Sequence, residues 1–226
     1  MTTRILRFLL VIAAFGACLP ATAGAQATSP PTGGSPALSP SPFALSGGGQ
    51  VLLGRAVRFR GTVDRGDAGR AVTIERRDPL TSAWTPEATT TVASDGSFVA
   101  SWRPRHSGRF QTRAVVSRDS AAGAAGASPE LPLTVYRPAL ATWYGPGLFG
   151  RRTACGSRLT RGLLGVAHRR LPCGTSVALH YRGRTLVVPV VDRGPFTRGA
   201  DWDLTAAAAR ALGFAETGRL GAVPLA

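Results

Sequence analysis

Between Val57 and Tyr136 the apolar residues recur at alternate positions in short runs: "VRFRGTV", "AVTIERR", "SFVASW", "RFQTRAVV" and "LPLTVY". A period of two turns one face of each strand toward a core and the other toward water, and no stretch here repeats at the helical period. Such a segment folds as packed antiparallel sheets. Between "EATTTVA" and "SFVASW", Asp95 and Gly96 stand where a tight hairpin turn needs residues that accept positive φ. Six or seven such strands within residues 47–138 predict a β-sandwich, with Trp84, Trp102 and Phe110 as core anchors.

Residues 139–226 carry further strand-like pieces, "ALATWYG", "LLGVAH", "SVALHYR", "TLVVPVVD" and "RLGAVPL", and one short helical stretch, "DLTAAAARAL". Asp203 suits the helix N-cap and Gly213 its stop. Five to six strands with one helix in so short a segment predict a small closed barrel, so the fold class is mainly β throughout.

The N-terminus reads differently. Arg4 and Arg7 precede an apolar run from Phe8 to Leu19 and the small-residue stretch "ATAGAQA", so residues 1–27 are expected to be a cleaved secretory signal peptide. The run falls short of the ~20 apolar residues of a membrane span, and "FGAC" is a poor context for lipid attachment at Cys18. Residues 28–46, rich in Pro, Ser and Gly, are expected to be a disordered linker. Removal of the signal leaves Cys155 and Cys173 in an oxidising compartment, which predicts one disulfide. No CxxC spacing exists, and neither a metal nor an organic cofactor is expected.

The formal charge is +15, from 27 basic and 12 acidic residues, yet every basic residue is Arg, and Lys and Asn are absent. GC-rich coding accounts for that bias. The arginines are scattered, so the charge points to an anionic cell envelope rather than to nucleic acid.

Four stretches taken together, "ATWYGPGLFGRRTACGSRL", "GVAHRRLPCGT", "VVDRGPF" and "DLTAAAARALGF", resemble the successive motifs of the rare lipoprotein A family. Those are septal lytic transglycosylases built on a six-stranded double-psi β-barrel. The resemblance implies peptidoglycan as partner, and cleavage between N-acetylmuramic acid and N-acetylglucosamine with Asp192 as acid and His168 in the same groove. It stops short of the N-terminal sandwich, which more weakly resembles a bacterial immunoglobulin-like domain without its inter-sheet cysteines. That domain offers no chemistry and is expected to be a spacer or a contact to the envelope.

Ordinary glycoside hydrolysis needs two carboxyl groups. Asp192, Asp201, Asp203 and Glu216 are the acids of residues 139–226. A lytic transglycosylase can work with one, because the 6-hydroxyl of the muramic acid is the internal nucleophile. Asp192, emerging from "LVVPVV", is expected to be partly desolvated and to have a raised pKa. Trp143 and Tyr144 are candidate platforms for sugar rings, with Tyr144 the better fit to a wet groove. Thr153, Ser157 and Arg193 are candidate polar contacts, and Asp203 caps the helix or orients the site. His180 is expected at the surface. Where the family pattern commonly has Glu, this chain has Ser157, and Cys155 and Cys173 would fasten the same turn to the "LPCGT" loop. The alternative is an expansin-like module that binds glycan without cleaving it.

Overall fold

The computed structural model describes residues 43–117 and 126–225; the expected signal peptide, Cys18 and the linker up to residue 42 lie outside the described residues. In chain order the strands are β1 (Ala44–Gly47), β2 (Gly49–Leu52), β3 (Val57–Thr62), β4 (Ala71–Arg77), β5 (Trp84–Thr91), β6 (Ser97–Trp102), β7 (Gly108–Val116), β8 (Leu131–Tyr144), β9 (Val166–Ala167), β10 (Ser176–Tyr181), β11 (Arg184–Asp192), β12 (Trp202–Thr205) and β13 (Gly218–Pro224). Helix α1 (Ala206–Leu212) lies between the last two.

β1, β3 and β6 form one sheet; β5, β4, β7, the first half of β8 and β2 form another. Alternation explains why they close on each other. β6 buries Phe98, Ala100 and Trp102, and β7 buries Phe110, Thr112, Ala114 and Val116, while the intervening residues face outward. Their apolar faces meet in one core with Phe59, Val72, Ile74, Leu133 and Val135. At the turn before β6, Gly96 sits at φ +85° and Asp95 accepts the Ser97 amide at 2.9 Å. Two expectations are corrected. β1, with Phe43 buried before it, occupies the end of the presumed linker. Trp84 is half-buried at the rim of β5 rather than in the core, with the Arg113 guanidinium 4.0 Å from its ring centroid.

The second half closes on itself. Following hydrogen bonds around the ring gives β8, β13, β10, β11, β9, β12 and back to β8, a six-stranded barrel. Two of its pairings are parallel, β8 with β12 and β9 with β11. Val166, Val177, Leu179, Val188, Val190 and Leu204 fill its interior, and α1 plugs one side with Ala208, Ala209 and Leu212. The helix begins later than its sequence suggests: Thr205 is the N-cap, its hydroxyl accepting the Ala208 amide at 3.2 Å, and Asp203 lies in β12. Gly213, left-handed at φ 72°, ends it as expected.

β8 belongs to both halves. One edge pairs with β2 through Tyr136 and with β13 from Arg137 onward, so the strand passes unbroken through the expected boundary at 138/139. Tyr136, Ala178 and Val223 form a small core at the crossing. His180, expected at the surface, is half-buried there and stacks on Tyr136 with 5.2 Å between ring centroids.

Candidate active site

Three neighbouring strands of the barrel bring the candidate residues together. Ala167, on β9, is paired on one side with Asp203 of β12 and on the other with Asp192 of β11. A bulge between Val190 and Asp192 re-aims the end of β11. The Asp192 carboxylate is gripped from two directions: Oδ1 accepts the Ala154 amide at 2.8 Å and the Arg193 amide at 2.8 Å. Beyond it the chain turns through Gly194, at φ +133°, and a cis peptide to Pro195.

The donor at Ala154 lies in a tight loop. Thr153 N–H bonds to Ser157 O at 2.8 Å, and Gly156 N–H bonds to Thr153 O at 2.9 Å. Cys155, in the same loop, is disulfide-bonded to Cys173, with 5.7 Å between their Cα atoms. The bridge therefore holds the amide that holds Asp192. The Thr153 side chain is buried, and its hydroxyl has no hydrogen-bond partner among the described residues. The Tyr144 hydroxyl is buried as well, and the group that acts on it as a hydrogen-bond acceptor is the neighbouring Asp192 carboxylate. Burial, then the charge of the neighbouring Asp192 and the hydrogen bond to it, then the Asp203 charge, push the Tyr144 phenol well above its ordinary pKa, so it keeps its proton.

Asp203 is half-buried and accepts the Thr142 hydroxyl on Oδ1 at 2.7 Å. Desolvation raises its pKa, the Asp192 charge adds to the rise, and the Thr142 hydrogen bond opposes it. His168 follows β9, linked to Asp192 through backbone, N–H to O at 3.2 Å. Its Nδ1 accepts the Leu171 amide at 2.9 Å and the Arg170 amide at 3.2 Å, which leaves the ring proton on Nε2. The ring leans on buried Trp202, centroids 4.6 Å apart. Burial, then the Arg169 and Arg193 charges, lower its pKa, against the opposing Asp201 charge. His168 is thus built as a neutral donor. Among the described residues no three His, Cys, Asp or Glu side chains come together as a metal site would need.

A family model described as lytic transglycolase, of the double-psi β-barrel type, matches residues 138–225. The probable endolytic peptidoglycan transglycosylase RlpA of Synechocystis sp. is 51% identical over 81 residues, 35% of this chain and 25% of that protein. The corresponding protein of Aquifex aeolicus is 45% identical over 80 residues, 34% and 35% of the two chains. The endolytic peptidoglycan transglycosylase RlpA of Pseudomonas aeruginosa is 40% identical over 80 residues, 34% and 24%. Residues 138–225 form an RlpA-like double-psi β-barrel. The shared segment spans a quarter to about a third of these relatives, so the likeness is one of the barrel alone.

Within the RlpA-like barrel the two aromatic candidates part company, as neighbours on a strand must. Tyr144 stands by the carboxylates, whereas Trp143 is on the far side, its Nε1 donating to Ala215 O at 2.9 Å. It lines an apolar groove of about 480 Å³ with Pro146, Phe149, Arg161, Arg210 and Phe214, to which none of the groups around Asp192 contributes. Arg193 is half-buried and reaches back to His168 O at 3.4 Å. Ser157 is half-buried and contributes its carbonyl to the loop. The RlpA-like barrel also contains a participant that sequence reasoning passed over, Thr142. Its signal was present: Thr142 and Tyr144 share a strand face two residues apart.

Proposed function

We infer that this chain is an exported peptidoglycan lytic transglycosylase. It cleaves the bond between N-acetylmuramic acid and N-acetylglucosamine without water, leaving 1,6-anhydro ends, with Asp192 as general acid and base. The observation that carries this reading is the double amide grip on one oxygen of Asp192, with the buried Tyr144 hydroxyl against the same carboxylate and the buried Thr153 hydroxyl left without a partner among the described residues. Buried polar groups are rarely left unpaired, and a polyhydroxylated substrate would satisfy the Thr153 hydroxyl. The naming of the relatives as endolytic peptidoglycan transglycosylases supports the substrate class.

Asp192 and the amide loop hold the reacting carboxyl in place, while His168, with its proton on Nε2, donates a hydrogen bond to a sugar oxygen. Tyr144, Thr153, Arg193 and Ser157 offer polar contacts to the glycan. Export is supported by the signal-like residues 1–27 and by the disulfide. The N-terminal sheets are read as an immunoglobulin-like spacer or envelope contact. Ser157 favours a second reading, an expansin-like module that grips glycan without cleaving it.

Digestion of purified peptidoglycan, with products resolved by mass spectrometry, separates the two. Anhydro-muropeptides that vanish in Asp192→Asn, with sacculus binding kept, are expected of the enzyme. Firm retention on sacculi with no products from the wild type would leave only the binding module.

A further inference from the structure

The absence of an acid at Ser157 leaves the reaction with one carboxyl only if Asp203 is counted as a helix cap, and Asp203 is not one. It stands on β12 directly across Ala167 from Asp192, two strands away. Two inter-strand spacings amount to roughly 10 Å between backbones. The residue between them is an alanine, with no side chain beyond Cβ to fill the interval. Both carboxylates bear on the Tyr144 hydroxyl, and the Asp192 charge acts on Asp203. On its outer side Asp203 is steadied by Thr142, which occupies Oδ1 and leaves Oδ2 without a hydrogen bond among the described residues. The titratable groups that interact with it are Asp192 on β11 and Tyr144 on β8.

We propose that Asp203 is the second catalytic carboxyl group of this barrel, acting across Ala167 from Asp192 on the same glycosidic bond. The proposal rests on the reading of the barrel as a lytic transglycosylase, and it divides the work given above to Asp192 alone. Asp203, protonated, gives its proton to the bridging oxygen as the bond from that oxygen to C1 of the muramic acid breaks. The 6-hydroxyl oxygen of the same sugar forms the new bond to C1, and its proton passes to the Asp192 carboxylate. One glycosidic bond is exchanged for one anhydro ring and one free hydroxyl, no water is consumed, and solvent returns the proton from Asp192 to Asp203. The environments suit the division: Asp203 is desolvated beside a like charge, and Asp192 is held by two N–H donors. Thr142 is a positioning residue in this scheme.

The test is release of anhydro-muropeptides by the full mature chain and by Asp203→Asn, Asp203→Glu and Thr142→Val, across pH. Expected are a loss of at least a hundredfold in Asp203→Asn, partial activity in Asp203→Glu, and in the wild type an alkaline limb lying above the ordinary carboxylate range. That limb should shift in Thr142→Val, a change that a merely structural threonine would not produce. Asp203→Asn that retains more than a tenth of the wild-type rate overturns the assignment while leaving the functional reading intact. No anhydro product from the wild type overturns both. Should Asp203→Asn fail to fold, the wild-type profile decides, and one without an alkaline limb overturns the proposal.

Discussion

Cys155→Ala combined with Cys173→Ala tests how the loop over Asp192 is held. The bridge closes a loop with a sequence separation of 18 residues, and in the chain-entropy model that constraint on the unfolded chain is worth about 3 kcal/mol. Cys155 also packs against the barrel core, which adds a little to the loss. Urea unfolding followed by circular dichroism should report it as a fall in midpoint on the order of 1–3 M, given slopes of about 1–3 kcal/mol per molar for small domains. The variant should suffer a second effect that the stability figure does not contain. With the bridge gone, only the loop's own hydrogen bonds, such as Thr153 N–H to Ser157 O, keep the Ala154 amide on Asp192. Anhydro-muropeptide release should fall more than tenfold at a temperature where the variant is still folded. A stability loss under about 1 kcal/mol would refute the entropic reasoning, and unchanged turnover would refute the loop's role in holding Asp192.

Two further outcomes follow from the packing and the titration of the site. Gly165→Ala would drive its new methyl into the Val191 side chain, one residue before Asp192; overpacking of this kind costs about 1–3 kcal/mol, readable by thermal unfolding, and an unaltered melting temperature would contradict it. Because His168 has a lowered pKa in the fold, the unfolded chain binds more protons between that value and about 6.5. Its contribution to stability is present above the unfolded pKa and is lost as pH falls through the folded one. Wild type should therefore weaken more steeply than His168→Phe on acidification, and parallel curves would exclude the effect.

Much of the fold is legible in the chain because its signals are local. The alternation in β6 and β7, the Asp95–Gly96 turn and the left-handed Gly213 each act within a few residues, and the structure has them where the pattern puts them. What escapes is pairing at long range. "DWDLT" looks like a helix start because Asp precedes a run of alanines, yet residues 202–205 pair with β8 and β9, which lie far away in sequence. That pairing, not propensity, moves Asp203 from a cap to the side of Asp192. Trp84 and His180 depart for similar reasons, since an arginine from β7 and a tyrosine from β8 decide their surroundings.

β8 runs for 14 residues, roughly 45 Å at strand rise, and changes partners without leaving one residue unpaired at the crossing. A strand shared by two cores has no joint. The same strand that carries β2 and β7 of the N-terminal sheets also carries Thr142 and Tyr144, so on the proposed reading those sheets would set the angle at which the barrel meets a glycan strand. The same continuity makes a cut at residue 138 a cut through the barrel wall, because β13 is already bonded to Arg137 and Pro138.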